Sequence, residues 1–202
     1  MNSEDYLKDN SEIKNLMNKS SKFISLSGLS GILAGIYALI GAAFAYWFFT
    51  LDGNQYIIID SKIFNFIVLD LLIVGLLSIG TAIFLTTKKA KKNREKIWDS
   101  VTRRLLFHFI VPLLAGGIYI LIILNQQRYG QTSALMLLFY GLALLNASKY
   151  TLGDVKYLGY TQIVLGLICA IFPGYGFWFW TIGFGIMHIV YGAVMHYKYD
   201  RK

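Results

Sequence analysis

The sequence predicts an all-α, polytopic membrane protein with six transmembrane helices and both termini in the cytoplasm. Three observations predict this class. Of the 202 residues, 56% are hydrophobic and 15% are charged, and the mean hydropathy is +0.54, so a soluble domain of this size could not bury its apolar surface. The apolar residues form runs near the roughly 20 residues that a helix needs to cross a bilayer. The basic residues lie between alternate runs.

The chain begins with a polar segment, residues 1–22, which we expect to be cytoplasmic. The residues on one side of this segment recur at helical spacing, with polar residues between them. They are Ile13, Leu16, Met17, Ser20 and Phe23. This pattern predicts a short amphipathic helix on the inner leaflet. It does not predict a cleavable signal, whose apolar region would lie close to the N terminus.

Six apolar runs predict the transmembrane domain, residues 23–197. The runs cover residues 26–49, 63–85, 105–124, 133–150, 157–172 and 177–197. The fourth and fifth are short and are separated by a few polar residues, so they predict a tight helical hairpin. A basic loop, residues 86–104, joins the second and third runs, and residues 198–202 form a short tail.

The distribution of positive charge predicts the orientation of these spans. All nineteen Lys and Arg residues, except Lys62 and Arg128, fall in segments that six spans would place on one side. Cytoplasmic loops retain an excess of positive charge. The count therefore predicts six spans with the N-terminal segment, the basic loop and the tail in the cytoplasm.

The basic loop carries the densest charge cluster, eight Lys and Arg residues between Lys88 and Arg104. Beside a membrane, each such residue gains about 1 kcal/mol from anionic headgroups. We expect the cluster to set the topology and to contact anionic lipids. An acidic soluble partner is the alternative, whereas nucleic acid is not expected because no aromatic platform or DNA-reading motif accompanies the charge.

Small residues recur every four positions in the first span. One stripe consists of Ser27, Gly31 and Gly35, and the other of Ala34, Ala38 and Ala42. Small residues let helices approach closely inside lipid. We expect the two stripes to serve helix packing within the chain. Docking of another membrane protein, or of a second copy, is the alternative.

Ionisable residues inside a bilayer are costly and mark candidate functional sites. Counting the helical rise from the ends of the spans places Asp70, Tyr119 and Tyr140 at similar depths and His188 near the midplane. This count predicts a polar pocket for a ligand or a proton, open to the outer side, with Asp70 as its charged group. A polar pair that only holds two helices together is the alternative interpretation.

A second polar layer is predicted toward the cytoplasm. It consists of His108, Asn146, Lys149 and Gln162, all within roughly 10 Å of the inner surface by the same count. We expect Asp154 to cap the start of the fifth span.

Three segments resemble uncharacterised six-span inner-membrane proteins of Bacteroidota-type bacteria. They are residues 25–31 (SLSGLSG), 145–152 (LNASKYTL) and 183–192 (GFGIMHIVYG). The resemblance runs from about Phe23 to Tyr199 and implies a location in the bacterial inner membrane, with no activity attached. The alanine stripe of the first span is also similar to that of the substrate-binding subunits of energy-coupling-factor transporters.

The sequence lacks the motifs of the common enzyme classes. It has no Walker loop, no HExxH motif, no carboxylates paired at metal spacing and no cysteine pair. We therefore expect a protein that is not an enzyme and that uses neither a cofactor nor a metal. The leading hypothesis is binding or transport of a small polar solute or a proton. The alternative is a membrane subunit, scaffold or sensor that docks partners through its first helix and basic loop.

Overall fold

A computed structural model describes residues 22–23, 25–52 and 62–201. The predicted amphipathic segment, apart from its last residue, lies outside the described residues. The described part of the chain is helical and has no strand, and its β-type pairing is one isolated bridge between Phe23 and Thr151. The predicted all-α class is therefore confirmed.

The helices fall close to the six apolar runs. They are α1 (Gly28–Asp52), α2 (Lys62–Lys92), α3 (Ser100–Asn125), α4 (Thr132–Ala147), α5 (Val155–Ile171) and α6 (Gly176–Asp200). Short 3-10 turns, Tyr129–Gln131 and Pro173–Tyr175, precede α4 and α6. Within the described residues, five helical segments are long and apolar enough to cross a membrane. They are α1, α2, α3, α6 and the 19-residue segment Tyr129–Ala147, which joins a 3-10 turn to α4. Helix α5 is apolar but has only 17 residues.

The segment predicted as a basic loop, residues 86–104, is mostly helical. Helix α2 continues through its lysines to Lys92, and α3 begins at Ser100. Lysine and arginine are good helix formers, so a change of hydropathy does not end a helix. The side chain of Asp99 caps α3 by accepting a hydrogen bond from the Thr102 backbone N–H at 2.7 Å. This bond holds the pKa of Asp99 below its usual value.

The helices pack as two groups. Helix α1 lies between α2 and α6, while α4 lies between α3 and α5. The first turns of α6 also pack on α4. Helices α2 and α3 are peripheral. Only 6% of the most apolar 18-residue stretch of α2 and 11% of that of α3 are buried in the protein, against 33% for the stretch that contains α4. The interior of the bundle is therefore built mainly by α1, α4, α5 and α6.

Glycines bring α1 and α6 into close contact. A Cβ added at Gly31 would lie 3.2 Å from the Cα of Gly192, and one at Gly35 would lie 2.6 Å from the carbonyl oxygen of Gly185. Ala38 and Ala42 are buried against Trp180 of α6. The small-residue stripes of α1 thus pack within this chain.

One end of the bundle, here called the basic end, is formed by residues 22–23, 25–27, 87–104, 148–156 and 196–201. Asp200 of α6 holds three helices together there. Its carboxylate accepts hydrogen bonds from the Gly28 backbone N–H at 3.0 Å, Lys89 Nζ at 2.5 Å and His196 Nδ1 at 3.0 Å. Phe23 pairs with the α4–α5 connection, where its N–H donates to the Tyr150 carbonyl at 2.8 Å. The segments around Phe23 and Asp200 therefore both lie at the basic end.

Candidate functional site

A polar contact inside the bundle joins α4 to α6. The Tyr140 hydroxyl lies 2.8 Å from Nε2 of His188. His188 is midway along α6 and only 7% exposed. The sequence analysis placed both residues in the predicted pocket, and the structure brings these two together.

A local change in helix geometry supports the other side of the His188 ring. Residues Thr181–Ile186 of α6 are π-helical, and the Met187 N–H bonds the carbonyl of Ile182. The Gly183 carbonyl in this turn faces two side chains. His188 Nδ1 lies 3.0 Å from it, and Gln162 Nε2 of α5 donates to it at 2.8 Å. Single π-helical turns within α-helices are frequent at functional sites.

These contacts determine the hydrogen-bond directions. A carbonyl oxygen can only accept, so the proton of the neutral His188 ring is on Nδ1 and points to Gly183. Nε2 is then an acceptor, and the Tyr140 hydroxyl donates to it. The His188 site, defined here as Tyr140, Gln162, Gly183 and His188, therefore presents one basic nitrogen, and a phenol covers that nitrogen.

Gln162 is the least satisfied member of the His188 site. Its side chain is fully buried, yet its Oε1 accepts no hydrogen bond within the described part of the chain. A Cβ at Gly183 would lie 2.8 Å from that oxygen and 2.4 Å from Leu137 Cδ2. Only glycine at position 183 leaves room for the amide.

Aromatic rings close the side of the His188 site that faces away from the basic end. The Phe184 ring lies 5.1 Å from Tyr140 and 5.8 Å from His188, and the Trp180 ring lies 5.3 Å from Phe184. Phe109 of α3 meets Tyr140 edge-on at 6.2 Å. Going along α6 away from the basic end, the next side chains on this face are therefore aromatic rings.

The other two residues of the predicted pocket lie elsewhere. Tyr119 is 47% exposed on the peripheral helix α3. Asp70 of α2 packs against α1, where a Cβ at Gly41 would lie 2.9 Å from its Oδ2. No hydrogen bond, ion pair or ring contact among the described residues joins Asp70 or Tyr119 to the His188 site. The structure therefore brings together two of the four pocket residues, because equal depth does not place side chains on facing sides.

The residues of the predicted cytoplasmic layer also separate. His108 stacks on Tyr150 at 4.8 Å between ring centres, and their Nε2 and hydroxyl lie 3.0 Å apart. Asn146 is half-buried and Lys149 is exposed. Gln162 does not join this layer, since it meets Gly183 beside His188. Asp154 precedes α5 but makes no side-chain cap, and accepts instead from Lys198 and Tyr199.

Sequence reasoning missed two features of this region. The carbonyl of Gly183 has no signal in the residue types, because the π-helical turn that aims it is not encoded by a recognisable pattern. Tyr191 could have been found, because it follows His188 by three positions and so lies on nearly the same face of a helix.

Comparisons of the chain with protein-family models, with curated proteins and with solved structures found no match.

Proposed function

We propose that this chain is an inner-membrane protein that binds and moves protons through the His188 site. The observation that carries the proposal is a buried histidine midway along α6 whose two ring nitrogens contact Tyr140 and Gly183. Ionisable residues in membrane-spanning helices are rare, and histidines among them mark proton relays. A histidine also changes charge near neutral pH.

The packing around the ring favours a proton over a larger solute. Tyr140 occupies Nε2 and Gly183 occupies Nδ1, while Phe184 stacks beside the ring. A proton reaches Nε2 through the Tyr140 hydroxyl without any change in packing. A small polar solute, the other ligand that the sequence predicts, would need these groups to separate first.

The orientation forms part of the same proposal. We place six spans in the membrane, including the shorter α5, with the basic end in the cytoplasm. The distribution of Lys and Arg supports this orientation. The contacts of Asp200 with Gly28 and Lys89 support it further, because the ends of α1, α2 and α6 then lie on one side.

Proton flux into liposomes tests the proposal. The purified protein is reconstituted with a pH-sensitive dye inside, and a potassium gradient with valinomycin drives protons inward. We expect His188→Gln to lower the flux at least tenfold, because the amide cannot bind and release a proton at Nε2. The matched control is His196→Gln, the same exchange at the basic end, which should retain most of the flux.

Asp70, the charged group of the pocket predicted from the sequence, is tested in the second part of this experiment. If Asp70→Asn abolishes flux while His188→Gln does not, Asp70 carries the charge and the assignment to His188 is wrong. A wild-type protein that gives no flux above empty liposomes would reject proton movement altogether.

A second role, lipid contact at the basic end, is favoured by the exposure of its charges. Lys91, Lys92, Arg94, Lys96 and Arg104 are all exposed. Trp98, which is 69% exposed, lies among them. Exposed basic residues beside apolar side chains suit anionic headgroups. A partner protein could use the same surface, whereas the small-residue face of α1 is already occupied by α6.

A further inference from the structure

The hydroxyl of Tyr191 is buried on α6 between the His188 site and the basic end. It makes no hydrogen bond within the described part of the chain. Tyr140, Tyr191 and Tyr199 pack against one buried apolar cluster, which consists of Leu144, Leu152, Val155, Leu158 and Met195. The three tyrosines therefore contact the same buried cluster.

The last phenol of this series connects to water. Tyr199 donates a hydrogen bond to Asp154 Oδ2 at 2.9 Å, and the same oxygen accepts from Lys198 at 2.5 Å. The Asp154 side chain is 25% exposed at the basic end. Asp154 can thus exchange protons with solvent and with Tyr199.

Tyr191 lies between the Tyr140–His188 pair and the Tyr199–Asp154 pair. On α6 it follows His188 by three residues and precedes Tyr199 by eight. A buried hydroxyl without a partner destabilises a fold. The Tyr191 hydroxyl supplies a hydrogen-bond donor and acceptor between Tyr140 and Tyr199.

We infer that Tyr191 relays protons between the His188 site and Asp154 at the basic end. This inference deepens the proposed function and rests on it. The path runs from Asp154 through Tyr199, Tyr191 and Tyr140 to Nε2 of His188. A water molecule, or a rotation of the phenols, completes the hydrogen bonds on either side of Tyr191.

Each transfer along the path conserves protons. Tyr140 gives its hydroxyl proton to His188 Nε2 and takes one from Tyr191 on its free lone pair. Tyr191 recovers a proton from the side of Tyr199 and Asp154. The result is an imidazolium at His188, with every phenol neutral again and one proton removed from the solution at the basic end.

The path leads to the basic end because the other direction is closed by rings. Phe184 and Trp180 follow His188 away from the basic end. Neither ring offers a hydroxyl or a carboxylate. Proton exchange with the opposite side therefore requires the Phe184 and Trp180 rings to move apart, while exchange with the basic end requires only a water molecule or a rotation of the phenols beside Tyr191.

Proton exchange at the His188 ring tests the relay directly. The relay delivers protons to Nε2 and takes them back from the same nitrogen, so the exchange is measured there. With ¹⁵N-labelled histidine in the detergent-solubilised full chain, ¹⁵N relaxation dispersion measures the rate at which Nε2 gains and loses its proton. We expect Tyr191→Phe to slow it at least tenfold. The matched control, Tyr197→Phe, removes a hydroxyl from a side chain that is 71% exposed on the same helix and should leave the rate unchanged.

A structural role for Tyr191 would give a different result. The variant removes an unpaired buried hydroxyl and keeps the ring, so its unfolding temperature should be equal to or above that of the wild type. Unchanged exchange at His188 in a folded Tyr191→Phe protein would overturn the relay, even if the liposomes show flux. If the wild type shows no flux but Tyr191→Phe still slows exchange, the proposed transport is wrong and the path to the basic end stands.

Discussion

The contact between α1 and α6 allows a sharp prediction about stability. In Gly192→Ala, the new Cβ would lie 2.5 Å from the backbone nitrogen of Ile32 and 2.8 Å from the carbonyl oxygen of Gly28. The nearer distance is about 1 Å shorter than ordinary contact. Because both atoms belong to the backbone, no side chain can rotate away and the two helices must move apart. Overpacking of this kind costs about 1–3 kcal/mol.

The matched control is Gly75→Ala in α2, where an added Cβ would have no neighbour within 4 Å. Both variants make the same chemical change inside a helix, so the gain in helix propensity of about 1 kcal/mol is common to both. The difference between the two free energies of unfolding, measured by denaturant titration in mixed micelles, isolates the clash and should be about 1–3 kcal/mol. If Gly192→Ala is as stable as Gly75→Ala, the close α1–α6 packing described above is wrong.

Two further predictions concern the basic end. The hydrogen bond from Lys198 holds the pKa of Asp154 below its usual value, so the pair should stabilise the fold above the unfolded pKa of about 3.9 and lose its effect as pH falls through the lower folded value. The difference in unfolding temperature between the wild type and Asp154→Asn should therefore vanish on acidification, and a constant difference would show that the charge is irrelevant. For lipid contact, Lys91→Gln combined with Lys96→Gln should weaken phosphatidylglycerol binding about thirtyfold, at about 1 kcal/mol per charge, in native mass spectrometry. Lys62→Gln, which changes an exposed residue at the opposite end, should leave this binding unchanged. Equal binding by the wild type, the double variant and Lys62→Gln would refute the lipid surface.

The helices could be predicted because they depend on hydropathy and length. An apolar run must be helical in lipid to satisfy its backbone, and the six runs accordingly match the positions of α1 to α6. The ends of α2 and α3 could not be predicted in this way. Their extra turns carry lysine, arginine and the Asp99 cap, which stabilise a helix without making it apolar.

The site was only partly predictable, because counting residues gives depth but not direction. His188 and Tyr140 were expected in one polar layer and do meet, whereas Tyr119 shares that depth on the outward face of a peripheral helix. Gln162 was placed in a different layer, since its depth was counted from an uncertain helix end. The π-helical turn at Thr181–Ile186 adds a residue to one turn, which rotates later side chains by roughly 100°.

The pairing of α1 with α6 also has a consequence for biogenesis. During synthesis the amino-terminal helices are inserted first, and α1 then has α2 as a neighbour but lacks the helix that fills its glycine face. Gly31 and Gly35 remain against acyl chains until the ribosome has delivered α6, whose Asp200 then reaches the N–H of Gly28. Packing of α6 against α1 is therefore a late event, and a ribosome stalled before α6 would leave a nascent chain whose glycine face on α1 has no partner helix.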